Sequence, residues 1–519
     1  MTSVANRGLA RAGLIVTVAF LASRLLGWLR FVVMSAQFPA QGQLDPYFAA
    51  FRIPDLIYQL VAAGAVGSAL IPVLTTLIAE GAPRRAWRVA STVINLMLAG
   101  LVVFAVVVFI WAPRIVPVMT PGFDAAGTDT TIQLTRIMLL SPIFLALGAL
   151  VSAILNSQQR FGIAAFAPVV YNLAIIIGCV TLGATMGLDG LALSVVIGSF
   201  LMLAVQLPLL RRRFHYDPII DLKDPPARTA LALMVPRAIG LGVTQITFVV
   251  NTTLATTLLV GSVTAYNLSF TILQIPLGVI GFPMGVVLLP SLSRAIALGD
   301  MVDFRRLVDS SMRLLLWVTL YISMVGIVLR VPTTELLFGN SASQVVALTA
   351  STYAWFLLGL PAHTLNVVLT RAFYSAKDTR TPVSIAICSV VVNVVVSVAL
   401  VGSMGLAGLA LGIALGGWFE TVVLSLILWQ RTHAVPLRSI SRASVSYLAG
   451  ALIAAGVAFL ALSALRSWQG TATGRLDALV QLAVVGPISL ASYLLYSRLM
   501  RIPELSQSVR LVRSAIHRG

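Results

Sequence analysis

Arg24 and Arg30 stand inside an apolar run, where a charge has to earn its place. Counted from Arg11 at about 1.5 Å per helical residue, they lie roughly 20 and 28 Å along the first helix. A guanidinium at that depth does not reach the near headgroups, and a charge in lipid is costly unless it meets water or a partner. Six residues apart, the two differ by about 120° around an ideal helix, although Gly27 between them can bend it. Two chemistries fit. They are a salt-bridged structural pair within a bundle, or they are the cationic lining of a wet cavity. Arginine suits the second, because its planar fork grips phosphate bidentately and never loses its charge.

Other polar residues at membrane depth extend the candidate set. Arg52 and Asp55 are three apart and can pair with each other; Arg52 is also a candidate for the cavity. Arg237 follows Pro236, about two turns into a seventh helix, and suits either cavity or interface. Arg136 and Arg371, near helix ends, read as interfacial. Glu420 is the most isolated acid, either a proton or cation site or an arginine's partner. Asn251, Gln245, Asn172 and Asn393 can hydrogen-bond between helices, the commoner use of such residues. Asn251 and Asn393 also join Glu420 as candidates for ion binding or coupling. The run Ile275-Pro-Leu-Gly-Val-Ile-Gly-Phe-Pro-Met-Gly285 frees backbone groups and supplies hinge points at Pro276, Gly278 and Pro283, with Gly27 a further one.

Enzyme chemistry finds no support. His215, His363, His433 and His517 are scattered, no Asp/Glu pair falls within a span, and no phosphate-binding glycine loop precedes a lysine. Cys179 and Cys388 lie in apolar runs and read as packing residues. Neither a metal nor a cofactor is expected.

The elements that must position these residues are membrane helices. The 519-residue chain is 59% hydrophobic and only 10% charged, with a mean hydropathy of +0.98. A soluble chain needs about 25% charged residues to cover its surface. Fourteen apolar stretches are each long enough to cross about 30 Å of hydrocarbon, which predicts an all-α polytopic membrane protein. The net charge of +18 does not signal nucleic acid, since 24 of the 35 cations fall in loops on one side and only Arg114, Arg330, Arg466 and Arg475 on the other. The basic side is cytoplasmic by the positive-inside rule, where it meets anionic lipid headgroups. An even helix count agrees, and both termini are expected inside. No cleavable leader is expected, because Arg24 and Arg30 interrupt the first apolar stretch.

An internal repeat sets the domain plan. Gly187-Leu-Asp-Gly-Leu-Ala-Leu returns as Gly405-Leu-Ala-Gly-Leu-Ala-Leu, 218 residues later. Ala69-Leu-Ile-Pro-Val-Leu and Val287-Leu-Leu-Pro-Ser-Leu share that offset, and Pro142 and Pro361 differ by 219. The repeat holds six helices, so both copies enter the membrane with one polarity. Two six-helix lobes related by a pseudo-twofold along the membrane normal follow. The expected boundaries are an N-terminal lobe (1–213), a cytoplasmic linker (214–228), a C-terminal lobe (229–432), two additional helices (433–500) and a basic cytoplasmic tail (501–519).

Several segments resemble the MurJ (MviN) family of the multidrug/oligosaccharidyl-lipid/polysaccharide exporter superfamily. They are Ser23-Arg-Leu-Leu-Gly-Trp-Leu-Arg30, Asp45-Pro-Tyr-Phe-Ala-Ala-Phe-Arg-Ile-Pro-Asp55, Gly64–Pro72, Asn156–Pro168, Gln274–Arg294 and Arg371–Pro382. The resemblance implies two six-helix lobes plus two helices, and a flippase that moves lipid II from the inner to the outer leaflet of the bacterial cytoplasmic membrane. It implies that Arg24 and Arg30 line a cationic central cavity and that Asp45 is the acid opening helix 2. Tyr58 or Gln59, Ala63 and Thr271 stand where many members carry charged residues, and Ser397 replaces an acid of the sodium site in some relatives. The cavity here is expected to be less cationic, and no bound sodium is expected. The expected partners are lipid II or a similar polyprenyl-pyrophosphate glycan and membrane lipids, with the chain working as a monomer by alternating access. The alternatives are export of another polyprenyl-linked oligosaccharide or, less favoured, a membrane-embedded polyprenyl-phosphate enzyme.

Overall fold

The computed structural model describes residues 2–61, 65–211, 214–435, 437–469 and 474–506. Within these, side chains are not described at 2–15, 17, 61, 65–68, 211, 235–237, 239–241, 437–438 and 469. Every described element is helical. In lipid a backbone has no water to bond, and a helix satisfies its own donors and acceptors. Eleven helices are long and apolar enough to cross a membrane, or twelve when the bent pair Ser343–Leu357 and Leu360–Ser375 is taken as one span.

Two compact units are present, Met1–Val263 and Thr264–Gly519. Unit 1 holds α1 (Thr2–Gln37), α2 (Asp45–Val61), α3 (Ala65–Ala79), α4 (Pro83–Met119), α5 (Ala125–Met138), α6 (Leu140–Ser157), α7 (Phe161–Met186), α8 (Leu188–Ala204), α9 (Leu207–Arg211) and α10 (Pro225–Thr256). The apolar stretch 46–79 of the sequence holds α2 and α3, and the apolar stretch 230–259 lies largely in α10. Leu70, Leu74, Val93, Leu150 and Ile154 form the centre of its core. The helix α10 packs on α2, α3 and α4, so by contact the seventh helix goes with the first unit, beyond the linker at 214–228.

That linker explains the placement. Its residues 214–224 run along the start of α4 as a strap. Ser91 Oγ accepts from the Asp217 amide at 3.1 Å, and Thr92 Oγ1 from the Asp221 amide at 3.1 Å. Asn95 Nδ2 donates to the Ile219 carbonyl at 3.0 Å. Arg85 pairs with Asp224 at 2.7 Å and Arg88 with Asp221 at 3.4 Å, and Phe214 lies edge-on to Trp87.

Unit 2 holds α11 (Ser262–Pro276), a π-helical turn (Leu277–Gly281), α12 (Phe282–Ala297), α13 (Met301–Val328), α14 (Arg330–Phe338), α15 (Ser343–Leu357), α16 (Leu360–Ser375), α17 (Arg380–Met404), α18 (Leu406–Thr432), α19 (Leu437–Gln469) and α20 (Arg475–Leu499). The last two helices dock on α13. Trp317 Nε1 donates to Ser497 Oγ at 3.1 Å, and the Tyr493 hydroxyl donates to the Trp317 carbonyl at 2.7 Å.

The repeat reappears as one turn built twice. Gly187 joins α7 to α8 at φ +63°, and Gly405 joins α17 to α18 at φ +56°, a region that side-chain-bearing residues rarely enter. Three residues on, Gly190 lies against the Leu182 carbonyl and Gly408 against the Leu400 carbonyl, too close for any Cβ. Each pair keeps the same offset of 218, so the glycines recur because the backbone contacts do.

Candidate functional site

In unit 1, α1 lies along α7 and presents both arginines. Arg24 is exposed, with its guanidinium 5.2 Å from the Phe20 ring centre. Arg30 is half-buried, 5.1 Å from Phe31 and 5.8 Å from Tyr171. Its Nε is buried with no hydrogen-bond partner. Aromatic faces stabilise a cation by roughly 0.5–2 kcal/mol, and the unbonded Nε leaves Arg30 a donor in reserve. No ion pair to Arg30 occurs among the described residues. Asn172 ties the helices together, donating to the Pro168 carbonyl of its own helix at 3.0 Å and to the Ser23 carbonyl at 3.3 Å. That is the interhelical use expected of it, one residue from Arg24.

Arg52 turns toward α10. Its Nε donates to Thr252 Oγ1 at 2.8 Å, and its guanidinium lies 5.4 Å from the Phe248 ring. Asp55 accepts from Gln245 Nε2 at 3.3 Å, with the charge of Arg52 acting on it from one turn away. Asn251 is fully buried beside Thr252. The structure thus gathers Arg52, Asp55, Gln245 and Asn251 along α2 and α10. Asp45 is buried and accepts from the Gly261 amide at 2.7 Å, so it anchors the turn after α10. The side chain of Arg237 lies outside the described residues, as does Ala63.

Unit 2 carries a different polar set. Asn393 and Ser397 of α17 are buried against Gly412 of α18, where a Cβ would collide with the Ser397 hydroxyl and lie 3.0 Å from Asn393 Nδ2. Glu420 is half-buried about two turns further along α18, and no described arginine pairs with it. The hinge candidates differ among themselves. Gly27 sits within the continuous α1, where an added Cβ would lie 3.6 Å from Asn172, an ordinary contact. Pro276 and Pro283 flank the π-helical turn and Gly278 lies within it, a local irregularity frequent at functional positions.

Sequence reasoning missed His363. Its ring is held between Gly359 and Gly417, where added Cβ atoms would lie 3.2 Å from Nε2 and 2.8 Å from Cε1. Next to it Thr421 donates to Asn366 Oδ1 at 2.7 Å, and Asn366 donates to the Gly417 carbonyl at 3.2 Å. The glycine pair 416–417 four residues before Thr421 was the available signal. An apolar cavity of about 510 Å³ also opens between α13, α16, α18 and α19, walled by Leu316, Leu365, Trp418, Val422 and Leu448.

The sequence profile of the family described as lipid II flippase MurJ matches residues 34–474. The chain belongs to the MurJ family. The lipid II flippase MurJ of Burkholderia cenocepacia is 30% identical to it over 86% of this chain and 89% of the relative. The probable lipid II flippase MurJ of Rhizobium tropici is 31% identical over 85% and 84%. A solved MurJ in an inward closed conformation superposes with a TM-score of 0.78 at 22% identity, covering 94% of this chain and 98% of that one. An inward-facing multidrug-resistance transporter of the MATE family reaches 0.67 at 17% identity, over 80% and 96%. The fold is the one these transporters share, and this MurJ-family chain is a multi-pass membrane protein.

Proposed function

We propose that this chain flips lipid II, the lipid-linked peptidoglycan precursor, from the inner to the outer leaflet of the bacterial cytoplasmic membrane, with both of its termini in the cytoplasm. The observation that carries the reading is the pair Arg24 and Arg30, on a membrane helix and cushioned by aromatic rings. A pyrophosphate carries roughly two negative charges and accepts bidentate contacts from such groups. Arg24 and Arg30 hold it, and Arg52, oriented by Thr252, is a further cavity contact from α2. Arg237 on α10 is a further contact to the glycan pyrophosphate.

The polyprenyl tail needs an apolar path, and the cavity between α18 and α19 supplies the chemistry for one. Glu420, Asn393 and Asn251 are the coupling candidates, because each is a polar group at membrane depth. The lobes alternate in access, with Gly27 and the π-helical turn taking up the bending, and the chain acts as a monomer and as a transporter rather than an enzyme. A second reading is favoured by Tyr58 or Gln59 and by Thr271, uncharged residues where the resemblance implies arginines. Fewer cations would suit a related polyprenyl-linked glycan with less charge.

The test is replacement of a host's essential lipid II flippase by this chain. Growth supports the peptidoglycan precursor as cargo, and failure despite correct insertion moves the reading to another lipid-linked glycan.

A further inference from the structure

Three of the four arginines that loop charge assigns to the outer side, Arg330, Arg466 and Arg475, gather beside α14 in unit 2. A cavity of about 340 Å³ opens there between α14, α15 and the start of α20, with Glu335, Ser341, Ser343 and Arg475 in its walls. Arg475 lays its stem against Gly339, where a Cβ would lie 3.4 Å from Cγ. One of its terminal nitrogens reaches the Leu337 carbonyl at 3.5 Å, and its Nε is buried with no hydrogen-bond partner. Glu335 shares the cavity and forms no ion pair with Arg475 among the described residues. Burial raises the Glu335 carboxyl above the ordinary carboxylate range; the Arg466 charge opposes this, and Asp477 adds to it. A cavity that holds a carboxylate and a guanidinium apart is complementary to a ligand carrying both signs of charge.

A second opening lies deeper along the same helices. Its volume is about 290 Å³, and Ile327, Arg330, Ala354, Trp355 and Leu358 wall it. On α15 the polar cavity takes Ser343 to Ala350, and the apolar furrow takes Ser351 to Leu358. Polar above and apolar below is the order of a headgroup and its acyl chain.

We propose that this corner of unit 2 binds one aminophospholipid of the outer leaflet, with its phosphate on Arg475, its primary ammonium on Glu335 and an acyl chain in the furrow. The headgroup chemistry follows from the two charges. Phosphatidylglycerol brings no cation to Glu335. Phosphatidylcholine brings one that cannot donate a hydrogen bond, because methyl groups cover its nitrogen. A primary ammonium does both.

The experiment is native mass spectrometry of the full-length chain released from detergent, titrated with dioleoyl phosphatidylethanolamine, phosphatidylglycerol and phosphatidylcholine. The wild-type chain should retain one phosphatidylethanolamine with roughly tenfold preference over the other two, the scale of one charge-assisted contact. Glu335→Gln should erase that preference, Arg475→Gln should weaken all three lipids, and Ala354→Trp should weaken phosphatidylethanolamine by obstructing the furrow. Equal retention of the three lipids by the wild-type chain overturns the proposal, and so does an unchanged preference in a folded Glu335→Gln chain. Competition by glycerophosphoethanolamine as strong as by the whole lipid overturns the lipid as occupant and leaves a soluble zwitterion. The headgroup series on the wild-type chain decides the matter even where a variant fails to fold.

Discussion

The helix pairs α7–α8 and α17–α18 are built on the same left-handed glycine turn, and they carry opposite loads. The first pair supports α1, whose arginines are exposed or half-buried and rest on Phe20, Phe31 and Tyr171. The second closes over neutral groups, Asn393 and Ser397 against Gly412, with His363 wedged between Gly359 and Gly417. Both pairs pack closely through glycines, but the first leaves cations with room to act and the second closes on neutral polar groups. A duplicated framework fixes where helices turn; the residues on its faces decide whether a polar group is offered or sealed.

The largest expected effect tests the open side. Arg24→Ala should lower lipid II flipping by about 30-fold or more, corresponding to about 2 kcal/mol for a lost charge-assisted contact. Arg24→Lys should fall between, since the charge stays but the fork is lost. Folded protein recovered from membranes should be unchanged, because removing a charge from a span lowers its insertion cost. Normal flipping by a well-folded Arg24→Ala chain would remove that residue from the site, and the same result at Arg30 would remove the cationic mechanism.

The sealed side should answer differently. Gly417→Val puts carbon where Cε1 of His363 is only 2.8 Å away, and overpacking of this kind costs about 1–3 kcal/mol. Thermal unfolding should shift down, with flipping reduced only as far as folded protein is. Gly27→Ala is the matched change in unit 1, where the new Cβ meets Asn172 at an ordinary 3.6 Å. Stability should hold or rise by up to about 1 kcal/mol from helix propensity. A flipping defect at unchanged stability would identify Gly27 as a hinge, and unimpaired flipping would end that role.

Two smaller effects refine the contrast. Asn172→Ala removes the tie from α7 to the Ser23 carbonyl and should cost about 1 kcal/mol of stability, read by thermal unfolding beside Arg24→Ala. At the rim of unit 2, Asp378 accepts from the Thr381 amide at 3.0 Å and from Arg431 at 2.6 Å. The Thr381 hydrogen bonds, aided by the Arg431 charge, lower its carboxyl from 3.8 to about 2. A lowered value stabilises the fold above the unfolded carboxyl's range and loses that contribution as pH falls through about 2. Asp378→Asn should therefore unfold at a lower temperature than wild type at pH 7 and pH 5, with the gap closing toward pH 2.

Much of this was legible in the sequence, for physical reasons. The apolar stretches announced helices because lipid leaves no alternative, and the segments at Gly187 and Gly405 announced a repeat, which the structure builds as one glycine turn made twice. Arg24 and Arg30 stood out because charge is rare at their depth. What stayed hidden depends on residues far apart in the chain. Arg52 finds Thr252 two hundred residues on, a partner that the spacing within α2 does not show. His363 gave only the faint signal of the glycine pair 416–417, which is unremarkable in a membrane helix. The π-helical turn was visible as prolines and glycines, but not as a particular winding.

The strap at 214–224 also has a consequence for how the molecule is made. Ser91 and Thr92 leave the ribosome 126 and 129 residues before the backbone amides they will hold. At about 5–20 residues per second, α4 waits roughly 6–25 seconds for that partner. When residues 217–224 emerge they find a prepared surface, and α10 begins where Arg85 holds Asp224. Birth order thus gives the seventh helix its address before the second half of the chain exists.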